Sequence, residues 1–513
     1  MIVVTHINNK LISVFDNVSK VSIDINCSSA LDAMFKLSKK YPERLIAWCH
    51  HDLKEVLNDK GFQDTFHHKL IMASYELRNE NYISENIGFV DSSPFIKINK
   101  NVTYPTWLMS SCIGAIHAEV LLKYDFNEFK NDSFEYALNS IAKIGMLNGL
   151  FCYSEPNLLQ SNSIKLPPFK TKTKTLFKFI KQHYKSGWIF ITFFNSLIYE
   201  KKLLILPLLV SIFNSKKQAS LNFNNIAVKS SRRNNNNLTI DVVIPTIGRK
   251  PYLYDVLQDL SKQTLLPKQV IIVEQNQNQN SKSELDYLKS NNWPYKIKHI
   301  FIHQTGACNA RNIALENVKS EFVFLADDDI RFDVHTLKKA LSQMNDYGLK
   351  AATLSCLKKG EKETKNNIMP WHTFGTASSI ILSSITKSIH FDLAYEHGFG
   401  EDGDYGMQIR NLSQDVGYLP DCSLLHLKAP VGGFRTKFEH PWEKEKILPK
   451  PSPTVMLFNL KHRTKFQLLG YKTILFLKFF KLQSNKNIFT YMSNMKKRWN
   501  KSIYWAQHLN NRY

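Results

Sequence analysis

Residues 322–330, FVFLADDDI, decide how the surrounding chain is read. The first four, Phe322 to Leu325, are bulky and apolar, as in a strand buried on both faces. The chain then passes through Ala326 into three consecutive carboxylates, Asp327, Asp328 and Asp329. Acids at the carboxyl end of a core strand stand where open α/β sheets bind ligands. Three such charges repel one another unless a cation is present, and Asp-x-Asp spacing suits a hard divalent ion that substrate phosphates also hold. Taken alone, the stretch fits a second reading equally well: a polar turn capping a helix that begins near Asp333.

Outward from this stretch, strands alternate with helices. LTIDVVIP (238–245) reads as a strand, 252–263 as a helix and QVIIVEQ (269–275) as a second strand. A polar loop, NQNQNSKS, leads to a short helix around 284–289, then the strand IKHIFIH (297–303) and the helix CNARNIALENVKS (308–320). Such alternation implies parallel βαβ units and an α/β fold. Thr246 to Arg249, Glu274 and the three acids then fall at strand carboxyl ends, on one edge of the sheet.

The motifs in this order resemble the glycosyltransferase family 2 domain of the GT-A fold, over about 238–435. VVIPTIGR looks like the family's opening strand and turn, which implies that Thr246 and Arg249 lie near the nucleotide. Glu274 ends VIIVEQ where the family commonly has an Asp on base or ribose. GACNARNIALE carries an Ala-Arg-Asn signature, implying Arg311 and Asn312 beside the nucleotide. FLADDD resembles the metal-binding element, which assigns Asp327 and Asp329 to a divalent ion (Mn²⁺ or Mg²⁺) and leaves Asp328 as a ribose contact. GFGEDGDYGMQIR (398–410) resembles the Glu-Asp motif, with Asp402 as general base and Glu401 and Asp404 supporting it or meeting the acceptor. HLKAPVGGFR places His426 as a third metal ligand, with Gly432, Gly433 and Arg435 near the pyrophosphate. In WHTFGTASS (371–379), Trp371 or Phe374 is a candidate to stack on a sugar face, and core packing is the competing reading. Bland alternatives accompany the other motifs too: Glu401 and Asp402 as a helix cap, His426 as a core histidine, GGF as a turn.

By this likeness the chain is an inverting glycosyltransferase, moving a sugar from a nucleotide-sugar to a glycan or lipid-linked acceptor. A metal ion neutralises the departing diphosphate, and Asp402 takes the acceptor's proton. A nucleotidyltransferase is the enzymatic alternative, and a non-catalytic glycan-binding scaffold the other.

The rest of the 513 residues is read from composition. An apolar fraction of 43% with 12% aromatics is that of folded domains. Seven cysteines are scattered without a CxxC pair, which fits a reducing compartment rather than a disulfide framework or zinc ribbon. The start, MIVVTHINNK, lacks the pattern of a secretory leader, so a cytoplasmic location is expected. The net charge of +23 is localised: 165–240 and 441–513 carry +13 each. Both segments interleave lysines with apolar runs, none long enough to cross a bilayer. Helices packed on the core with a solvated basic face, and helices lying in an anionic membrane surface, both account for this pattern. Nucleic-acid grooves use the same residue types, but nucleic acid is not the expected partner.

The polar run SSRRNNNN (230–237) marks a boundary. The expected organisation is an α/β domain over 1–160, a basic apolar-rich helical linker over 161–237, the catalytic domain over 238–438 and a basic helical region over 439–513. RLIAWCHHDLKEVL and DSFEYALNSIAKIG echo the later motifs, so 1–160 reads as a degenerate GT-A-like domain. It has no Asp-x-Asp, Ala-Arg-Asn or Glu-Asp pair, and its expected role is acceptor binding or homo-oligomerisation. The cluster His50-His51-Asp52 reads as a solvated turn, with metal binding the sharper alternative.

Overall fold

Ile240–Thr246 is buried at nearly every position, as a strand covered on both faces must be, and its neighbours behave alike. The computed structural model describes residues 1–168, 172–217, 220–233, 238–430, 438–483 and 487–512. Its contacts divide into two units: Met1–Arg232 with Arg463–Lys478, and Arg233–His462 with Phe479–Tyr513.

The first unit holds β1 (Ile2–Ile7), β2 (Lys10–Asp16), β3 (Val21–Ser22), β4 (Leu45–His50), β5 (Ile71–Tyr75), β6 (Tyr104–Pro105), β7 (Ile113–His117) and β8 (Phe151–Ser154). They form one sheet in the order β3-β2-β1-β4-β7-β5-β8-β6. Helix α1 (Phe134–Met146) lies between β7 and β8 in the chain. Three further helices follow: α2 (Thr173–His183), α3 (Trp188–Glu200) and α4 (Ile205–Ile212). Much of the expected linker therefore clusters with the first unit.

The second unit holds β9 (Ile240–Thr246), β10 (Gln269–Gln275), β11 (Lys296–Ile302), β12 (Phe322–Ala326), β13 (Ile330–Phe332), β14 (Ala351–Lys358), β15 (Met369–Pro370), β16 (Ser378–Leu382) and β17 (Gly417–His426). Their order is β11-β10-β9-β12-β16-β14-β17-β13, with β15 also on β17. The first four strands are parallel, as the alternating pattern requires; β16 then runs antiparallel to β12. The helices that matter below are α5 (Ala307–Leu315), α6 (Thr336–Tyr347), α7 (Glu401–Asn411), α8 (Pro453–His462) and α9 (Ile488–Arg512).

Six strands repeat between the units. β1-β4-β7-β5-β8-β6 and β9-β12-β16-β14-β17-β15 share spatial order, relative direction and sequence order. Helices α1 and α7 occupy the same place, between the seventh and eighth strands of one unit and between β16 and β17 of the other. The amino-terminal unit is thus a second mixed α/β domain on the same plan. Its His50 caps a 3₁₀ helix over His51–Val56, the ring accepting from the Asp52 amide.

Two expectations change. The helix placed near Asp333 begins at Thr336, because 330–332 pairs with β17 as a short strand. The three acids therefore sit between two strands rather than on a helix end. The carboxyl-terminal basic segment follows the packed-helix reading. Tyr491, Met495, Trp499, Ser502 and Ala506 form a buried stripe on α9, which lies against α8.

Candidate active site

The register of β13 on β17 builds the centre. Ile330 pairs with His426, so the imidazole arrives one residue from the acids that end β12. Ligand atoms of Asp327, Asp329 and His426 all lie within 4.8 Å of one another. The Oδ1 of Asp329 is buried with no hydrogen-bond partner, and His426 Nε2 stands 3.4 Å from it. Its Oδ2 accepts from the Ala429 amide at 2.8 Å. Two carboxylates, one with an orphaned buried oxygen, and an imidazole make a donor set that suits a divalent cation such as Mn²⁺ or Mg²⁺.

Asp328 turns the other way. It accepts from Thr246 Oγ1 and from the Arg249 guanidinium, each at 2.7 Å. Thr246 and Arg249 thereby line the cleft but hold the middle acid. Burial pushes the Asp328 carboxyl up to about 6, against the pull of Arg249 and the Thr246 hydrogen bond. At Asp329 burial also pushes upward, but His426 and the Ala429 amide outweigh it and leave the pKa below its ordinary value. The Asp329 carboxylate beside it raises the pKa of His426, with burial opposing.

Arg311, on α5, is buried and 3.2 Å from Asp327, with its guanidinium 5.6 Å from the Phe391 ring. Burial disfavours its charge, while Asp327 and then Asp402 hold it in place. This one cation thus answers both acid clusters. Helix α5 starts at Gly306, whose φ of +145° and closeness to Glu396 exclude a side chain: an added Cβ would lie 2.2 Å from that carboxyl carbon. Glu396 instead accepts from the Cys308 and Asn309 amides, at 3.0 and 2.8 Å, and caps the helix from a distance.

Glu401 and Asp402 open α7, where an N-terminal helix end favours negative charge. Gly400 precedes them at φ +124°, and a Cβ there would meet the Tyr395 ring at 2.9 Å. Asp402 Oδ1 accepts from Thr376 twice, from the amide at 3.0 Å and the hydroxyl at 2.5 Å. Burial raises the pKa of both acids. The Asp402 charge adds to the rise at Glu401, and Thr376 with Arg311 partly offsets it at Asp402. Glu401 also interacts with the backbone amides of Gly400 and of itself, so capping and exposure to the cleft coexist.

A cleft of about 800 Å³ joins these groups, walled by Thr246, Arg249, Arg311, the three acids, Glu401 and His426. The structure does not bring every expected residue to its wall: Asp402, held by Thr376, is not among the residues that form it. Glu274 accepts from His299, Ser283 and the Glu284 amide, and the adjacent Gln275 lines the cleft instead. Asn312 spends its amide on both backbone groups of Phe391. Trp371 stacks on Tyr418 at 4.1 Å, away from the sugar position expected for it, and Phe374 is fully buried. Asp404 points into the protein, accepting from His462, Gln408 and Tyr395 at 2.6, 2.8 and 3.3 Å. Arg435, with Gly432 and Gly433, lies outside the described residues.

Sequence reasoning missed three contributors: Thr376 on Asp402, Glu396 on α5, and the aromatic wall of His397, Phe438 and His440. His397 stacks on Phe438 at 4.0 Å, and Phe438 meets His440 edge-on at 4.9 Å. Gly306, a helix start without a capping side chain, was the available signal that a distant acceptor must exist.

Residues 241–417 match the model of glycosyl transferase family 2. No curated protein sequence matches the chain. Among solved structures, S. aureus TarS 1-349 is 19% identical over 37% of this chain and 60% of that one, with a TM-score of 0.32. The chain therefore spans 60% of that structure's length. TarS 1-349 in complex with UDP-GlcNAc gives 16% identity, coverage of 52% and 82%, and a TM-score of 0.40. GalNAc-T7 with UDP, GalNAc and Mn²⁺ gives 14%, 38% and 44%, and 0.31. On its sequence match, the domain spanning residues 241–417 is a glycosyl transferase family 2 domain, built on a mixed sheet with acids at the carboxyl end of a parallel strand.

Proposed function

We propose that the protein is an inverting, metal-dependent glycosyltransferase, moving a sugar from a nucleotide-sugar to a hydroxyl of a glycan or lipid-linked acceptor, at the cytoplasmic face of a membrane. The observation that carries this reading is the convergence of Asp327, Asp329 and His426 in the same cleft as Glu401, with Arg311 answering both Asp327 and Asp402. Asp327, Asp329 and His426 would hold a divalent ion, which would supply charge neutralisation to the departing diphosphate. Arg249 and Arg311 add fixed positive charge on the same wall.

In the transfer, the acceptor oxygen bonds to the anomeric carbon as the bond from that carbon to the diphosphate oxygen breaks. The nucleoside diphosphate leaves with the electron pair, and the acceptor proton passes to Asp402. Thr376 fixes Oδ1 of that carboxylate, which leaves Oδ2 to receive the proton. Direct displacement inverts the anomeric centre. Glu401 shapes the local field, and Asp404 anchors the helix that carries both acids.

Asp402→Asn tests the assignment. Removal of a general base should lower turnover by about 10²–10⁴, with donor affinity retained in a nucleotide-binding titration. Wild-type turnover by the variant would remove Asp402 from the role.

A further inference from the structure

Helices α3 and α4 are built inside out. On α3 the buried positions include Thr192, Asn195 and Ser196, while Phe190, Phe194 and Ile198 are about half exposed. Polar partners hold the inner face: Asn195 accepts from Thr473, and the Tyr199 hydroxyl meets that same threonine at 3.1 Å. On α4 the one buried residue is Ser211, and Leu206, Leu209 and Phe213 at its end stand out, the last 88% exposed. Between 190 and 213, eleven large apolar side chains are exposed. Water-soluble helices place such residues inward, and a contiguous exposed apolar surface marks an interaction site.

Charge selects the occupant. Lys185, Lys201, Lys202 and Lys216 are exposed around these helices, and Glu200 is the sole acid from 185 to 217. A second copy of the chain meeting this face by two-fold symmetry would set the same lysines against themselves. An anionic lipid surface accepts both features, apolar side chains below the headgroups and ammonium groups among them. At about 1.5 Å per residue, α3 and α4 reach about 20 and 12 Å, short of the ~30 Å needed to span. No described helix is long and apolar enough to cross a membrane.

We propose that the α3–α4 hairpin seats its outward face in the headgroup region of an anionic membrane leaflet, without spanning it. The inference deepens the membrane clause of the proposed function and rests on that clause alone, not on the transfer chemistry.

Full-length protein should co-sediment with phosphatidylcholine vesicles containing phosphatidylglycerol, and less at high salt. Phe194→Ser/Leu206→Ser/Phe213→Ser should lower that partition by about tenfold or more. Lys201→Glu/Lys202→Glu should abolish the preference for phosphatidylglycerol. Metal-dependent nucleotide release in solution should be unchanged in the triple variant, which shows that it folds and separates this test from the catalytic one. Wild-type partition by the triple variant would overturn the proposal. So would a wild-type protein that ignores vesicles, and if it sediments as an oligomer that the triple variant dissociates, the face belongs to a second copy.

Discussion

Asp402 can accept a proton only when it has lost its own, and its surroundings decide at what pH that holds. Burial raises its pKa, with the nearby Asp327 charge adding to the rise and Thr376 and Arg311 opposing it. Turnover should therefore fall on acidification with a midpoint above the ordinary carboxylate value of about 4. Burial and the Asp402 charge raise Glu401 to about 7, so it is neutral on the acid limb, and Glu401→Gln should leave that limb of the kcat profile in place. A limb that moves with this variant would be assigned to Glu401. The grouping of Asp327, Asp329 and His426 was legible in the order of the motifs. The partners of Trp371, Glu274 and Asn312 were not. Sequence specifies what an indole or carboxylate can do, but not that Tyr418, His299 or the Phe391 backbone already occupies it.

At the scale of elements, α7 is held by a helix beyond the family match. Gly403 faces Phe458 of α8 so closely that an added Cβ would lie 2.7 Å from its ring, and His462 reaches Asp404 at 2.6 Å. Burial pushes the Asp404 pKa upward, but His462, Gln408 and Lys461 outweigh it and hold it below its ordinary value. A depressed folded pKa contributes stability above the unfolded value and loses it as pH falls through the folded one. His462→Ala leaves this buried carboxylate short of its imidazole hydrogen bond and should destabilise by about 1–3 kcal/mol in denaturant unfolding at neutral pH. The deficit should shrink in acid; a pH-independent deficit would mean that packing, not charge, was lost. Three of the parallel strands, β9, β10 and β12, could be read directly because each carries an apolar run with a turn signal at its end, whereas the edge strand β11 alternates. The three-residue β13 could not, because its pairing with β17 joins segments about a hundred residues apart.

Across the whole molecule, one plan is used twice with different chemistry. Thr376 stands two residues before β16 and holds Asp402, the second residue of α7. Ser111 stands two residues before β7 and donates to Glu135, the second residue of α1, at 3.0 Å. The first unit keeps this carboxylate but replaces the three acids after β12 by His50-His51-Asp52 after β4. The transfer proposed above draws on residues of the second unit only. Glu135→Gln and His50→Ala should each leave turnover within about twofold of wild type in a transfer assay. The echoes of the later motifs in 1–160 signalled this repeat. The placement of two basic segments was beyond composition: one buries its apolar stripe in a helix pair, the other turns its apolar face outward.

The central claim is that Asp327, Asp329 and His426 hold a metal for a nucleotide-sugar. Nucleotide release from a panel of nucleotide-sugars, measured with Mn²⁺, Mg²⁺ or EDTA, tests it most directly. Wild-type protein should release nucleotide from at least one donor only with metal, and Asp329→Asn should lower that rate by about a hundredfold or more. Equal release in EDTA, undiminished release by Asp329→Asn, or no release from any donor would contradict the account.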